Sequence, residues 1–283
     1  MTTGARAGHV RCLSTAGFHR MSYIEWGPTD AARTVVCVHG LTRNGRDFEV
    51  LATALAADGW RVVCPDIAGR GGSDWLADPT SYIYAQYLAD ITVLLARLAV
   101  ERVAWIGTSM GGLIGMMLAA QPGSPIERLL LNDIGPYIPK AALARLAVYV
   151  GTDPLFPDMA AAERYVRDVH GPFGDLGDDG WRRLTEISVT AAGGGGFRLH
   201  YDPRIGDTLR QGPLEDVDLW PIWDRIAAPM LTLRGATSDL LTPETAAQMG
   251  QRTQVIEIPG CGHAPALRAA DQVALVREWL SAP

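Results

Sequence analysis

Short, continuous runs of β-branched and aliphatic residues recur along the first half of the chain, each separated from the next by a stretch of helical periodicity. The runs are Thr34–Gly40 (TVVCVHG), Arg61–Pro65, Arg102–Gly107 and Ile126–Asn132. Apolar residues at nearly every position, rather than at alternate ones, suit strands buried on both faces. Between them, Phe48–Ala57, Tyr82–Leu98 and Met110–Ala120 carry apolar residues at helical spacing. The second has Ile83, Tyr87, Ile91, Leu94, Leu95 and Leu98 on one face. This alternation predicts an α/β fold with a mostly parallel sheet covered by helices on both sides. Two short strands, HVRCL and RMSYIEWG around a Thr15–Gly17 turn, are expected in front of it.

The rhythm breaks after the fourth run. From Ile134 to Ala228 there is no strand–helix repeat, and the stretch is far too long for a plain loop. Ala141–Tyr149, Met159–Val169 and Gly180–Val189 read as helices, and the Gly193–Gly196 run as a flexible turn. The alternation resumes with strands at Met230–Arg234 and Gln254–Ile258 and helices at Pro243–Met249 and Ala269–Leu280. A helical insertion therefore interrupts a parallel α/β domain.

Composition narrows the functional classes. With 48% hydrophobic and 20% charged residues the chain is globular rather than disordered. The net charge of −6 and the absence of a Lys/Arg block argue against a nucleic-acid partner. Cys12, Cys37, Cys64 and Cys261 form no CxxC or metal-like cluster, so no metal is expected. They read as buried free thiols suited to a reducing compartment. MTTGARAGHVRC has no apolar leader, and no run approaches membrane-spanning length. A cytoplasmic, soluble protein without a membrane partner is the expectation; the oligomeric state is open.

The chemistry is concentrated after the third run. Gly107-Thr108-Ser109-Met110-Gly111 is a G-x-S-x-G sequence between a strand and a helix. A sharp turn there exposes the Ser109 hydroxyl above the sheet, and side chains two residues to either side would collide, which selects glycine. The helix that follows points its N-terminus at developing negative charge. Acyl transfer also needs two donors for the oxyanion. The backbone N–H groups of Met110 and Leu41, the latter in the His39-Gly40-Leu41 turn after the first run, are the candidates. His39 reads as a structural histidine bonded to loop backbone.

A general base is expected in Gly260-Cys261-Gly262-His263-Ala264-Pro265, a glycine-flanked loop after the last strand. His263 would take the Ser109 proton and later deliver it to the leaving group. A third residue must fix the imidazole tautomer. Asp239, in the loop after the Met230–Arg234 strand, is favoured. Asp133, directly after Ile126–Asn132, is its rival, with a turn or cap as its plain role.

These pieces together resemble the α/β-hydrolase superfamily over nearly the whole chain. The matching segments are His39-Gly40, Asp66-Ile67-Ala68-Gly69-Arg70-Gly71-Gly72-Ser73, the Ser109 elbow, Gly235 to Asp239, and Gly262-His263. The resemblance implies an eight-stranded core at 1–134 and 228–283, a helical cap at 135–227, and no cofactor. Within the superfamily, Ser109 sets the chain apart from branches with Asp at the elbow. The Ser109–Gly112 elbow is similar to that of carbon–carbon bond hydrolases of the meta-cleavage type, but Ala264-Pro265-Ala266 stands where those usually carry Trp. A serine carboxylesterase acting on small-molecule esters, with hydroxyalkanoate or other polyester fragments among the candidates, is the first expectation. A carbon–carbon hydrolase and a non-catalytic hydrolase-fold receptor are the alternatives. Tyr137, Tyr149, Phe156, Tyr165, Phe173, Trp181, Phe197, Tyr201, Trp220 and Trp223 are expected mostly to pack the cap, with some lining an apolar pocket. Arg43, Asn44 and Arg70 fall on loops near the site, as solvated polar residues or substrate contacts. The Gly193–Gly196 run is a candidate hinge for cap opening.

Overall fold

Eight strands form one sheet: β1 (Arg6–Ser14), β2 (Gly17–Trp26), β3 (Thr34–Val38), β4 (Arg61–Pro65), β5 (Val103–Thr108), β6 (Ile126–Asn132), β7 (Met230–Gly235) and β8 (Gln254–Ile258). Their order across the sheet in this computed structural model is β1-β2-β4-β3-β5-β6-β7-β8. β1 and β2 form an antiparallel hairpin, and β2 runs antiparallel to β4. Every pairing from β4 across to β8 is parallel. Residues 4–210 and 213–282 are described. Met1–Thr3, at the head of the segment expected to lack a leader, and Gln211–Gly212, within 135–227, lie outside the described residues.

The continuous apolar runs have a direct cause. Successive side chains of a strand point to opposite faces, and both faces of this sheet are covered. Val36, Val38, Trp105, Leu129 and Leu131 pack in one core, against Ile91 and Leu94 of α2 (Tyr84–Leu98) and Ile114 of α3 (Met110–Ala119). Their neighbours Val35, Cys37, Ala104, Ile106 and Leu130 pack in the other, with Leu51 and Leu55 of α1 (Glu49–Ala57). No residue of β3 faces water, so none is polar except Thr34 at its start. All four cysteines are buried free thiols. Among the described residues, no helix is long and apolar enough to cross a membrane.

Between β6 and β7 the chain leaves the sheet and forms α4 (Lys140–Tyr149), α5 (Met159–His170) and α6 (Gly177–Ser188), close to the helices expected there. Two features were not anticipated. Val189–Ala191 pairs with Phe197–Leu199 in a hairpin, and Tyr137–Ile138 pairs with Val217–Asp218, tying the exit of the segment to its entry. The glycine run is the turn of that hairpin, with φ of 97° at Gly195 and 76° at Gly196 and a bond from Ala192 N–H to the Gly196 carbonyl. It shapes a turn within the segment and does not lie where the segment joins the sheet. The α2 stripe also departs from expectation at its start. Ile83 is 50% exposed, facing a cavity described below, while Asp90 is buried and accepts from His19 Nε2 at 2.9 Å. After β7, α7 (Pro243–Met249) and α8 (Ala270–Ser281) complete the chain.

Candidate active site

Ser109 sits between β5 and α3 with φ 50° and ψ −114°, a conformation disfavoured for any residue with a Cβ. The neighbours make it possible. A Cβ on Gly107 would overlap the Gly111 carbonyl, and one on Gly111 would overlap the Val38 carbonyl. The turn is fastened by Ser109 N–H donating to the Asn132 carbonyl at 3.0 Å. Asn132 Nδ2 in turn donates to Thr108 Oγ1 at 3.0 Å and to the Pro265 carbonyl at 2.8 Å, joining β5, β6 and the His263 loop.

His263 is 9% exposed and lies against Ser109, with Nε2 3.1 Å from Oγ. Its Nδ1 is 2.7 Å from Asp133 Oδ2. The geometry thus sets Asp133, and not the expected Asp239, against the imidazole. Asp239 has no hydrogen bond to His263; it forms a bidentate ion pair with Arg145 of α4, and its side chain is 47% exposed. Burial pushes the Asp239 carboxyl up and the Arg145 guanidinium pulls it down, with the net direction downward. Asp133, in contrast, is fully buried with four donors converging on it. Gly235 N–H donates to Oδ1 at 2.7 Å, and Oδ2 accepts from His263 Nδ1–H, from Ser238 Oγ at 2.6 Å and from Ala264 N–H at 3.2 Å. A buried carboxylate is tolerable only when satisfied in this way. Backbone strain clusters here too. Ser109, Asp133 and Ala264 are three of the five described non-glycine residues with positive φ, the others being Ala99 and Leu267.

The loop after β3 is held from two sides. His39 is fully buried and bonds backbone at both ring nitrogens: Nδ1–H donates to the Gly40 carbonyl at 2.7 Å and Nε2 accepts from Ile67 N–H at 3.0 Å. Burial lowers its pKa to about 3, with Arg70 and Arg43 adding to the effect against the Gly40 bond. Arg70 is also fully buried, contrary to a solvated loop role. Its Nε donates to the Leu41 carbonyl at 2.9 Å, and its Nη1 to Ala68 O at 2.7 Å and Tyr87 Oη at 3.0 Å. Arg43 and Asn44 are likewise buried. Among the described residues the N–H groups of Leu41 and Met110 have no acceptor, and both residues border the space beside Ser109.

Two cavities meet at Ser109. The larger, about 750 Å³, is lined chiefly by apolar groups such as Met110, Leu113, Ile134, Leu143 and Leu219, with Ile83 at its edge. The smaller, about 50 Å³, runs past His263 between Phe173, Leu184, His170 and Arg268. Of the aromatic residues in the inserted segment, Tyr149 and Phe173 reach this space, whereas Phe156, Trp181, Tyr201 and Trp223 are buried in packing. His170 had no motif around it in the sequence, yet it faces the site. Its Nε2 lies 3.4 Å from Arg43 Nη1. Burial, and then the nearby Arg43 guanidinium and His263 ring, hold its pKa well below the ordinary value.

His39 and His170 make a stability prediction. An unfolded histidine protonates near pH 6.5, whereas the folded His39 waits until about 3. Between those values the unfolded state holds more protons, so stability rises with pH and is lost on acidification. Each such histidine should contribute about 1.4 kcal/mol per pH unit to that loss below pH ~6.5. Urea unfolding from about pH 6.5 down to 4.5 should therefore be less steeply pH-dependent in His170→Gln than in the wild type. Equal slopes would mean that His170 is charged in the folded protein.

Comparison with known proteins agrees with this architecture. The alpha/beta hydrolase family model matches residues 35–275. The chain is 43% identical to a 3-hydroxybutyrate-oligomer hydrolase of Cupriavidus necator, over 99% of each chain. It is 28% identical to a 2-(acetamidomethylene)succinate hydrolase of Mesorhizobium japonicum, over 80% of this chain and 79% of the relative. The crystal structure of an alpha/beta hydrolase from Novosphingobium aromaticivorans superposes with a TM-score of 0.88 at 36% identity, covering 99% of both chains.

Proposed function

We propose, from the premise that this chain belongs to the alpha/beta hydrolase family and is a hydrolase, that it cleaves carboxylic esters through an acyl-enzyme on Ser109, and that oligomers of hydroxyalkanoic acids are its substrates. The observation that carries the reading is the unbroken relay from Asp133 through His263 to Ser109 Oγ. Its likeness to the Cupriavidus necator oligomer hydrolase over the full chain supports the substrate class.

The chemistry follows from the contacts. Asp133 accepts the Nδ1 proton of His263, which leaves Nε2 as the lone-pair nitrogen facing Ser109. Nε2 takes the hydroxyl proton as Oγ attacks the ester carbonyl. The charged Asp133 then stabilises the imidazolium. The oxyanion is received by the N–H groups of Leu41 and Met110, the second at the N-terminus of α3, where the helix dipole adds to it. The C–O bond breaks, His263 passes its proton to the departing alkoxide, and a water activated by His263 releases the acid and regenerates Ser109. His39 Nδ1–H holds the Gly40 carbonyl and so fixes the peptide plane that carries the Leu41 N–H, while Arg70 holds the Leu41 carbonyl one peptide further on. Residues 135–227 serve as a cap: α4 lines both cavities, and α5 and α6 line the smaller one through His170 and Leu184.

The test is a substrate panel: trimers of 3-hydroxybutyrate, p-nitrophenyl esters from acetate to palmitate, and a dienone acid with a carbon–carbon bond to cleave. Trimer hydrolysis with a burst of p-nitrophenol from the short esters is the expected result. Cleavage of the dienone acid alone would replace the ester reading by carbon–carbon hydrolysis.

A further inference from the structure

The two cavities that meet at Ser109 differ in charge as well as in size. The mouth of the larger one carries Glu215, Asp216 and Asp218, and among the described residues no Lys or Arg lines it. Asp216 is already engaged by Tyr137 Oη and Lys140 N–H at 2.7 Å each, and keeps its negative charge. The smaller cavity has the opposite character. Arg43 and Arg268 both line it, with Asp47 as the one carboxylate in its wall. Arg43 is matched to that carboxylate by two bonds, from Nε at 2.9 Å and from Nη2 at 2.7 Å. Arg268 has only a long ion pair. Its Nη1 is buried and has no hydrogen-bond partner among the described residues. The carboxylate beside it, Glu49, lies 3.6 Å away and is held by Arg183 through both oxygens at 2.8 Å. Arg268 thus puts positive charge on the cleft wall that a carboxylate already held by Arg183 offsets only at a distance. His170 lines the same space. With His170 Nε2 accepting from Arg43, the ring proton of this neutral histidine is on Nδ1.

Position relative to the relay tells which part of an ester would supply the anion. The leaving alkoxide must receive its proton from His263 Nε2. His263 lines the small cavity and not the large one, whereas Met110, an oxyanion donor, lines the large one. The acyl chain therefore extends into the large apolar cavity and the alcohol into the small cationic cleft. That cleft, at about 50 Å³, holds the equivalent of roughly four waters, enough for a short alcohol portion and no polymer.

We propose that the cleft between Arg268, Arg43 and His170 binds the free carboxylate of a leaving hydroxy acid, so that the protein removes one hydroxy acid per turnover from the carboxyl end of its substrate. This rests on the ester-hydrolase reading above and adds its direction. The carboxylate accepts from Arg268 and His170, and its hydroxy acid departs with the proton from His263 as the acyl group stays on Ser109. The acidic mouth of the large cavity repels the same carboxylate, which opposes the reversed orientation.

The experiment compares three trimers of 3-hydroxybutyrate: free at both ends, methyl-esterified at the carboxyl end, and acetylated at the hydroxyl end. The wild-type protein should lose about 10- to 100-fold in kcat/KM on the methyl ester and little on the acetylated trimer. The first product from the acetylated trimer should be free monomer and acetylated dimer. In Arg268→Gln the ratio of kcat/KM on the free trimer to that on its methyl ester should collapse toward one, largely through KM. Arg268→Lys should restore part of it. Because a ratio is read, a general loss of folded protein cancels. Equal rates on all three trimers in the wild type, or an unchanged ratio in Arg268→Gln, would overturn the carboxylate site while leaving ester hydrolysis standing. No turnover of any trimer, with p-nitrophenyl butyrate still cleaved, would overturn the carboxylate site together with the hydroxyalkanoate assignment.

Discussion

Asp133→Asn is expected to lower kcat about 10⁴-fold, and Asp239→Asn to leave it close to the wild-type value. The asymmetry follows from what surrounds each carboxylate. Four donors point at Asp133: Gly235 N–H, Ser238 Oγ, His263 Nδ1–H and Ala264 N–H. An asparagine amide offers one oxygen and one NH₂ to four donors, so one end must meet a donor with a donor. Turning its NH₂ toward His263 would force the ring proton onto Nε2, and Nε2 could then no longer accept the Ser109 proton. The negative charge that steadies the imidazolium is lost as well. Asp239 loses only a half-exposed ion pair with Arg145, a contact worth little. The rates are to be compared per active site by burst titration, which separates lost chemistry from lost folding. A large loss in Asp239→Asn beside an active Asp133→Asn would return the orienting role to Asp239.

Ser109→Ala should abolish turnover to a comparable or greater extent, about 10⁶-fold where the relay acts as a unit. The substitution removes one hydroxyl whose described side-chain bond is that to His263 Nε2, so the melting temperature should stay near the wild-type value. A fluorophosphonate probe should label the wild-type chain at Ser109 and leave Ser109→Ala unlabelled, as read by peptide mass spectrometry. Cys261 is the instructive control, because it lies two residues from His263. Its thiol is buried, its Sγ lies 3.5 Å from the Phe173 carbonyl, and burial, with Asp133 nearby, raises its pKa. A buried thiol of raised pKa is a poor nucleophile. Labelling that persists in Ser109→Ala and maps to Cys261 would move the nucleophile.

Much of this was legible in the sequence, for physical reasons that differ from place to place. The β3 and β5 runs declare themselves because both faces of the sheet are covered, so every position must be apolar. Ser109 declares itself because its turn excludes side chains at Gly107 and Gly111, and His263 because Gly260, at a φ of 71°, marks the turn that leads to it. The acid did not. Asp133 and Asp239 both lie between Ser109 and His263 in the chain, so order cannot separate them. What separates them is that β6 is the sheet neighbour of β5, which sets the residue after β6 beside the residue after β5. That is a fact of strand pairing, not of local sequence. Asp239 was one residue from the site, since Ser238 is the residue that bonds Asp133. The hairpin at Val189–Leu199 was hidden for another reason: its strands are three residues each, too short to show a period. Arg43 and Arg70 looked like loop cations because sequence records charge but not enclosure.

The convergence on Asp133 also has a consequence for how the chain tolerates change. The carboxylate receives bonds from the end of β7 and the loop that follows it, and from the loop beyond β8, so it ties two separate segments to the end of β6. Selection on activity alone would guard Ser109 and Asp133 alike. Selection on abundance alone would relax at Ser109 and still hold at Asp133. In a lineage that lost its chemistry and was retained for some other purpose, the serine would drift first and the aspartate would persist as a fossil of the relay.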